Sequence, residues 1–173
     1  MITLKTTNSS GSDIAFDATI NDDKTVITIN PTTDFASEQV VYVSIGATLE
    51  DSLNHAISAA TTTFTAADII VPTVTFYPAN GAPDVAANTN VTLTFSESMR
   101  NINDSELTNE NVDGLITLKA TNASGGDFGF SATINTDKTV ITVDPLFDFS
   151  PNSTVYAAIG ATVEDDGDNA TLA

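Results

Sequence analysis

Asn90-Val91-Thr92-Leu93-Thr94-Phe95-Ser96 alternates apolar residues with hydroxyl or amide residues over its whole length. A strand turns successive side chains to opposite faces, so Val91, Leu93 and Phe95 share one face and the polar residues share the other. The same period of two runs through 73–77, 25–29 and 61–65. This is the pattern of antiparallel sheets with one buried and one wet face. The period predicts a core containing Phe76, Val91, Leu93, Phe95, Ile116, Leu118, Phe130, Ile134, Val140 and Tyr156. Only 105–110 hints at a helical turn.

Outward from that stretch, the chain repeats itself. Ile2-Thr3-Leu4-Lys5 returns as Ile116-Thr117-Leu118-Lys119, 114 residues later. The match continues without a gap to Ala59/Ala173, with 33 identities in 58 aligned positions. Lys24-Thr25-Val26-Ile27-Thr28 matches Lys138-Thr139-Val140-Ile141-Thr142, and Glu50-Asp51 matches Glu164-Asp165. Chance does not produce such agreement, so a duplicated unit is read here. On this register, residues 1–72 are the latter part of one unit, including its last strand and a linker. Residues 73–173 are the next unit, lacking its last strand. The chain is therefore expected to be a window of a longer repetitive protein.

Turns divide the strands. Asn21-Asp22-Asp23-Lys24 and Asn135-Thr136-Asp137-Lys138 read as hairpins, because Asn and Asp tolerate left-handed backbone and cap neighbouring amides. About seven strands per unit point to a two-sheet sandwich. Pro151 followed by Tyr156 at a strand start has the form of a tyrosine corner, in which the hydroxyl bonds back to upstream backbone. Residues 35–42 repeat it, with Ser37 in place of the proline.

Pro78-Ala79-Asn80-Gly81-Ala82, then Val91 to Met99 ending in Phe95-Ser96-Glu97-Ser98-Met99, resembles the opening of a bacterial Ig-like domain. The strand at 139–145, the strand from Tyr156 to Ile159 and the turn Asp165-Asp166-Gly167-Asp168-Asn169 resemble its later part. The first copy departs at that turn, with Asp51-Ser52-Leu53-Asn54-His55 and no glycine. The resemblance implies immunoglobulin-like antiparallel β-sandwich repeats, all-β, with the first copy truncated on its N-terminal side. It also implies a spacer, scaffold or adhesive module, found in tandem in large surface, adhesin and S-layer-type proteins, and not an enzyme.

Composition narrows the functional classes. The 173 residues hold 23 acidic and 5 basic side chains, for a net charge of -18, and no Cys. Disulfides, thiolate metal sites and cysteine catalysis are excluded. Nucleic acid and anionic membranes would meet a repulsive field. No apolar run is long enough for a membrane span. His55 is the sole histidine and aligns with Asn169 in a polar turn, which leaves no histidine pair for a metal and argues against Ser-His-Asp catalysis.

One site is expected from the acidic residues. Calcium takes six to eight oxygen ligands. Glu164, Asp165, Asp166 and Asp168 cluster around Gly167, and Glu50 and Asp51 are the counterparts in the first copy. A junction ion there would stiffen an array. The alternative is a solvated acidic turn. The partners expected are neighbouring copies of the same repeat, with strands shared between chains, at an extracellular or cell-surface location. An accessory module of a secreted enzyme, glycan-binding or spacer, is the alternative. Glycan binding favours exposed aromatics, and the chain has no Trp and three Tyr.

Overall fold

In the computed structural model, which describes residues 1–171, the chain forms thirteen strands. They are β1 (Ile2–Thr6), β2 (Phe16–Ile20), β3 (Ile27–Pro31), β4 (Val40–Ile45), β5 (Ala60–Thr65), β6 (Val74–Tyr77), β7 (Val91–Phe95), β8 (Arg100–Asn101), β9 (Ile116–Ala120), β10 (Phe130–Ile134), β11 (Val140–Pro145), β12 (Val155–Ile159) and β13 (Val163–Glu164). Leu172 and Ala173, which close the repeat match and the 73–173 unit, lie outside the described residues.

Local chemistry sets the hairpins. Asn135 Oδ1 accepts from the Thr139 and Val140 amides at 2.8 and 2.9 Å, and Lys138 takes left-handed backbone with φ 58°. Asn21 does the same for Thr25 and Val26 at 2.8 and 2.9 Å, with Lys24 at φ 57°. The amide oxygen stands in for a backbone acceptor and closes the turn. The repeat is written in the backbone as well. Thr7 and Thr121, Lys24 and Lys138, Glu38 and Asn152, and Asn54 and Asp168 are left-handed pairs, each 114 residues apart. The pairs Glu38/Asn152 and Asn54/Asp168 differ in residue type, so the conformation outlasts the side chain.

Contacts divide the chain into two units, Met1–Ile69 and Ile70–Ala173. In the second, β10-β11-β7-β6 form a four-stranded antiparallel sheet, with β12 paired to β9 and β13 to β8. Val91, Leu93 and Phe95 of β7, Ile116 and Leu118 of β9, Ala132 of β10, and Ile141 and Val143 of β11 are buried in one cluster. Strands from the four-stranded sheet and the β9–β12 pair thus contribute to a common core, the all-β sandwich arrangement expected from the alternation. In the first unit, β1-β4-β5 form a three-stranded sheet and β2 pairs with β3. Among its apolar residues only Leu4 and Val41 are sealed from solvent.

The expected core needs two corrections of register. Phe76, Phe130 and Ile134 pack against the cluster, and Val91, Leu93, Phe95, Ile116 and Leu118 lie within it. Val140 and Tyr156 do not belong to it. In β11 the inward residues are Ile141 and Val143, opposite Leu93 and Val91, while Val140 lies opposite Thr94 on the other face. In β12 the inward residues are Val155, Ala157 and Ile159, and Tyr156 lies opposite Lys119. Runs of adjacent apolar residues at 140–141 and 155–158 leave the phase of alternation undecided, and a shift of one residue exchanges the faces.

The tyrosine corner is likewise absent: Tyr42 and Tyr156 are half-buried, and neither hydroxyl bonds to another described residue. The helical turn expected at 105–110 is irregular, and a 3-10 turn follows at Val112–Leu115. Three aromatics are exposed, Phe147 at 83%, Tyr77 at 64% and Phe64 at 44%.

Candidate functional site

Asp165 explains why an acid recurs at the start of the last turn. Its Oδ1 accepts from the Gly167 and Asn169 amides at 2.7 and 2.9 Å, and Asn169 Nδ2 donates to its Oδ2 at 3.0 Å. Asp165 is 1% exposed. One repeat earlier, Asp51 Oδ1 accepts from the Leu53 and His55 amides at 2.8 and 2.9 Å, and His55 Nδ1 lies 3.0 Å from Asp51 Oδ2. His55 and Asn169 therefore serve the same carboxylate from the same place. Donation from the His55 and Leu53 amides to the charged form holds the Asp51 carboxyl below its ordinary pKa, with the His55 ring adding to the effect. Both aspartates are turn-building groups, and their oxygens already carry local hydrogen bonds.

Glu164 follows a different logic. It sits in β13 opposite Arg100 of β8 and is 5% exposed. Arg100 Nε donates to Glu164 Oε1 at 3.3 Å, and its Nη2 reaches Asp104 at 3.0 Å and also Asp168. Carboxylate oxygens of Asp104, Glu164 and Asp168 lie within 4.8 Å of one another. Partial burial works against the charged guanidinium, but Asp104, Asp168 and Glu164 together outweigh it and raise the pKa of Arg100. The planar fork of five donors suits several carboxylates at once.

Of the expected calcium ligands, the structure brings Glu164 and Asp168 together, adds Asp104, and places Arg100 among them. Asp165 braces its own turn and also has a carboxylate oxygen within 4.8 Å of one of Glu97, while Asp166 is exposed. Glu50 and Asp51 are exposed. As a donor set, Asp104, Glu164 and Asp168 have the oxygen chemistry calcium uses, but Arg100 already supplies the positive charge. Arg100 and Asp104 were not anticipated from the sequence. The signal was there in one respect: Arg100 is the only arginine in a chain of net charge -18.

A second cation anchors another loop of this unit. Lys138 Nζ donates to the Leu107 carbonyl at 2.8 Å and pairs with Glu106 Oε1 at 2.7 Å. The hydrogen bond, and then the charge, of Lys138 lower the pKa of Glu106. Lys5 and Lys119 pair with Asp13 and Asp127 at 2.6 and 2.7 Å, again 114 residues apart.

The described groups are thus arranged to fix turns and to tie strand ends together. Among the described residues, no helix is long and apolar enough to cross a membrane. No curated protein matches the chain. The family model for the bacterial Ig-like domain matches residues 68–173. That match covers more than half of the chain and takes in β6 to β13 with the ion pairs of Arg100, Lys119 and Lys138, so the chain belongs to the bacterial Ig-like domain family.

Proposed function

We propose that this chain is a non-enzymatic structural or adhesive repeat of an extracellular bacterial surface or filament protein, acting as a spacer or polymer unit. The observation that carries the reading is the duplication itself. Two copies 114 residues apart reproduce the same hairpins, the same left-handed positions and the same Asp-centred turns. A repeated module that contacts mainly its neighbours adds length in proportion to its number. Membership of the bacterial Ig-like family supports the same reading, as does an acidic surface, which keeps densely arrayed domains apart.

Serial copies of the 114-residue unit, measured by small-angle scattering, should lengthen by a constant increment per unit. Growth in all dimensions would contradict the spacer role. Proteolysis of intact cells should release peptides of this chain; peptides released only after lysis would contradict the surface location.

A further inference from the structure

Asn80-Gly81 is the one Asn-Gly pair in the sequence, and Asp113-Gly114 and Asp166-Gly167 are its two Asp-Gly pairs. Such pairs share a chemistry. The glycine amide nitrogen can attack the side-chain carbonyl carbon of the residue before it, because no Cβ on glycine crowds the approach. The structure treats the three pairs differently. In two of them the nucleophile is held. The Gly114 amide donates to the Asn111 carbonyl at 3.3 Å within the 3-10 turn, and Asp113 Oδ1 accepts from the Ala132 amide at 2.5 Å. The Gly167 amide donates to Asp165 Oδ1 at 2.7 Å. In the third pair both reacting groups are unengaged. Asn80 and Gly81 are exposed, and neither the Asn80 side chain nor the Gly81 amide bonds to another described residue. The Ala82 amide closes the turn on the Ala79 carbonyl at 3.0 Å, which puts the pair at its two central positions. Gly81 has left-handed backbone, φ 76°, and a Cβ there would meet no atom within 4 Å.

We infer that Asn80 is a site of enzyme-free modification, at which the Gly81 amide converts the side chain to a carboxylate through a cyclic imide. In the first step the bond from Gly81 N to Asn80 Cγ forms and the Cγ–Nδ2 bond breaks. The side-chain nitrogen leaves as ammonia, carrying the proton lost from the Gly81 amide. In the second step water opens the imide ring. Attack at Cγ gives aspartate, and attack at the main-chain carbonyl gives isoaspartate, with one more carbon in the backbone. Water is the sole co-reactant. Either product adds a negative charge to the connection between β6 and β7, in a chain already at -18. Loss of ammonia makes the change irreversible, so the converted fraction records the age of the molecule.

This inference does not depend on the spacer reading. The full 173-residue chain is held at neutral pH and sampled over time by peptide mapping with mass spectrometry, beside short synthetic peptides spanning each of the three pairs. Conversion at Asn80 in the folded chain should run within about tenfold of the rate in its peptide, because no local opening has to precede it. Asp113 and Asp166 should form isoaspartate more than about tenfold more slowly than in their peptides, because each glycine amide must first be released. A folded-chain rate at Asn80 more than about tenfold below that of its peptide overturns the proposal, since the turn would then have to open first. Unprotected isomerisation at Asp113 and Asp166 overturns it as well, because hydrogen bonding would then not be what selects Asn80. The variant Asn80→Gln, whose longer side chain closes the ring far less readily, should lose the more acidic species that accumulate on native anion exchange. Persistence of those species in this variant assigns the new charge to another residue and also overturns the proposal.

Discussion

Leu93 and Ile141 face each other across the β7–β11 ladder, and both are completely buried. Their contact joins the stretch with the clearest alternation to the repeated segment. Leu93→Ala should therefore destabilise the second unit by roughly 2–5 kcal/mol, the range for a buried large-to-small change that leaves a cavity. Chemical denaturation with separate probes for the two units measures it. A loss below about 1 kcal/mol would mean that β7 is not sealed as described.

Ile27 repeats Ile141 without its opposite residue. Ile27→Ala should cost less than Ile141→Ala, because a half-open side chain gives up less on truncation. The two variants compared in the same chain provide the check. Equal costs would indicate that β3 is covered in solution.

Gly11 and Gly125 occupy one position of the repeat, and a Cβ at either would lie 1.6 Å from a carbonyl oxygen, of Thr6 or Ala120. Gly126 has open space around it. Gly125→Ala should cost about 1–3 kcal/mol, as overpacking does, while Gly126→Ala should cost clearly less. Thermal melts of the two variants decide it; the reverse order would show that the turn is built differently.

Glu106 titrates with Lys138. Its folded pKa is depressed, so its contribution to stability is complete above the unfolded value near 4.3 and is lost as pH falls through the lower folded value. The melting temperature of Glu106→Gln should lie below that of the parent at pH 7, and the gap should close below about pH 4. A gap unchanged between pH 7 and pH 3 would show that the carboxylate charge contributes nothing.

Calcium and Arg100 compete for the same carboxylates. An ion bridging Asp104, Glu164 and Asp168 would have to displace the guanidinium, so Arg100→Met should bind calcium more tightly than the parent, by calorimetry. The same substitution should lower the melting temperature without calcium, because it strands the buried Glu164. Equal calcium heats from both proteins would place any binding elsewhere.

The strands and the hairpins were legible in the sequence because each depends on neighbours within a few residues, and the duplication because identical residues recur at one fixed offset of 114. Alternation at 90–96 names an inward face, and Asn135 closes its own turn through the Thr139 and Val140 amides. The acid at 51 and 165 was legible too, though not its task of holding the turn. Tertiary structure decided what local pattern left degenerate. At 140–141 and 155–158 adjacent apolar residues fit either face, and only pairing with β7 and β9 turned Ile141 and Ala157 inward and left Val140 and Tyr156 outside. Arg100 meets Glu164 across 64 residues because β8 pairs with β13. No periodicity within either short strand specifies that pairing; it follows from sheet topology, which brings distant charges into one partly buried place.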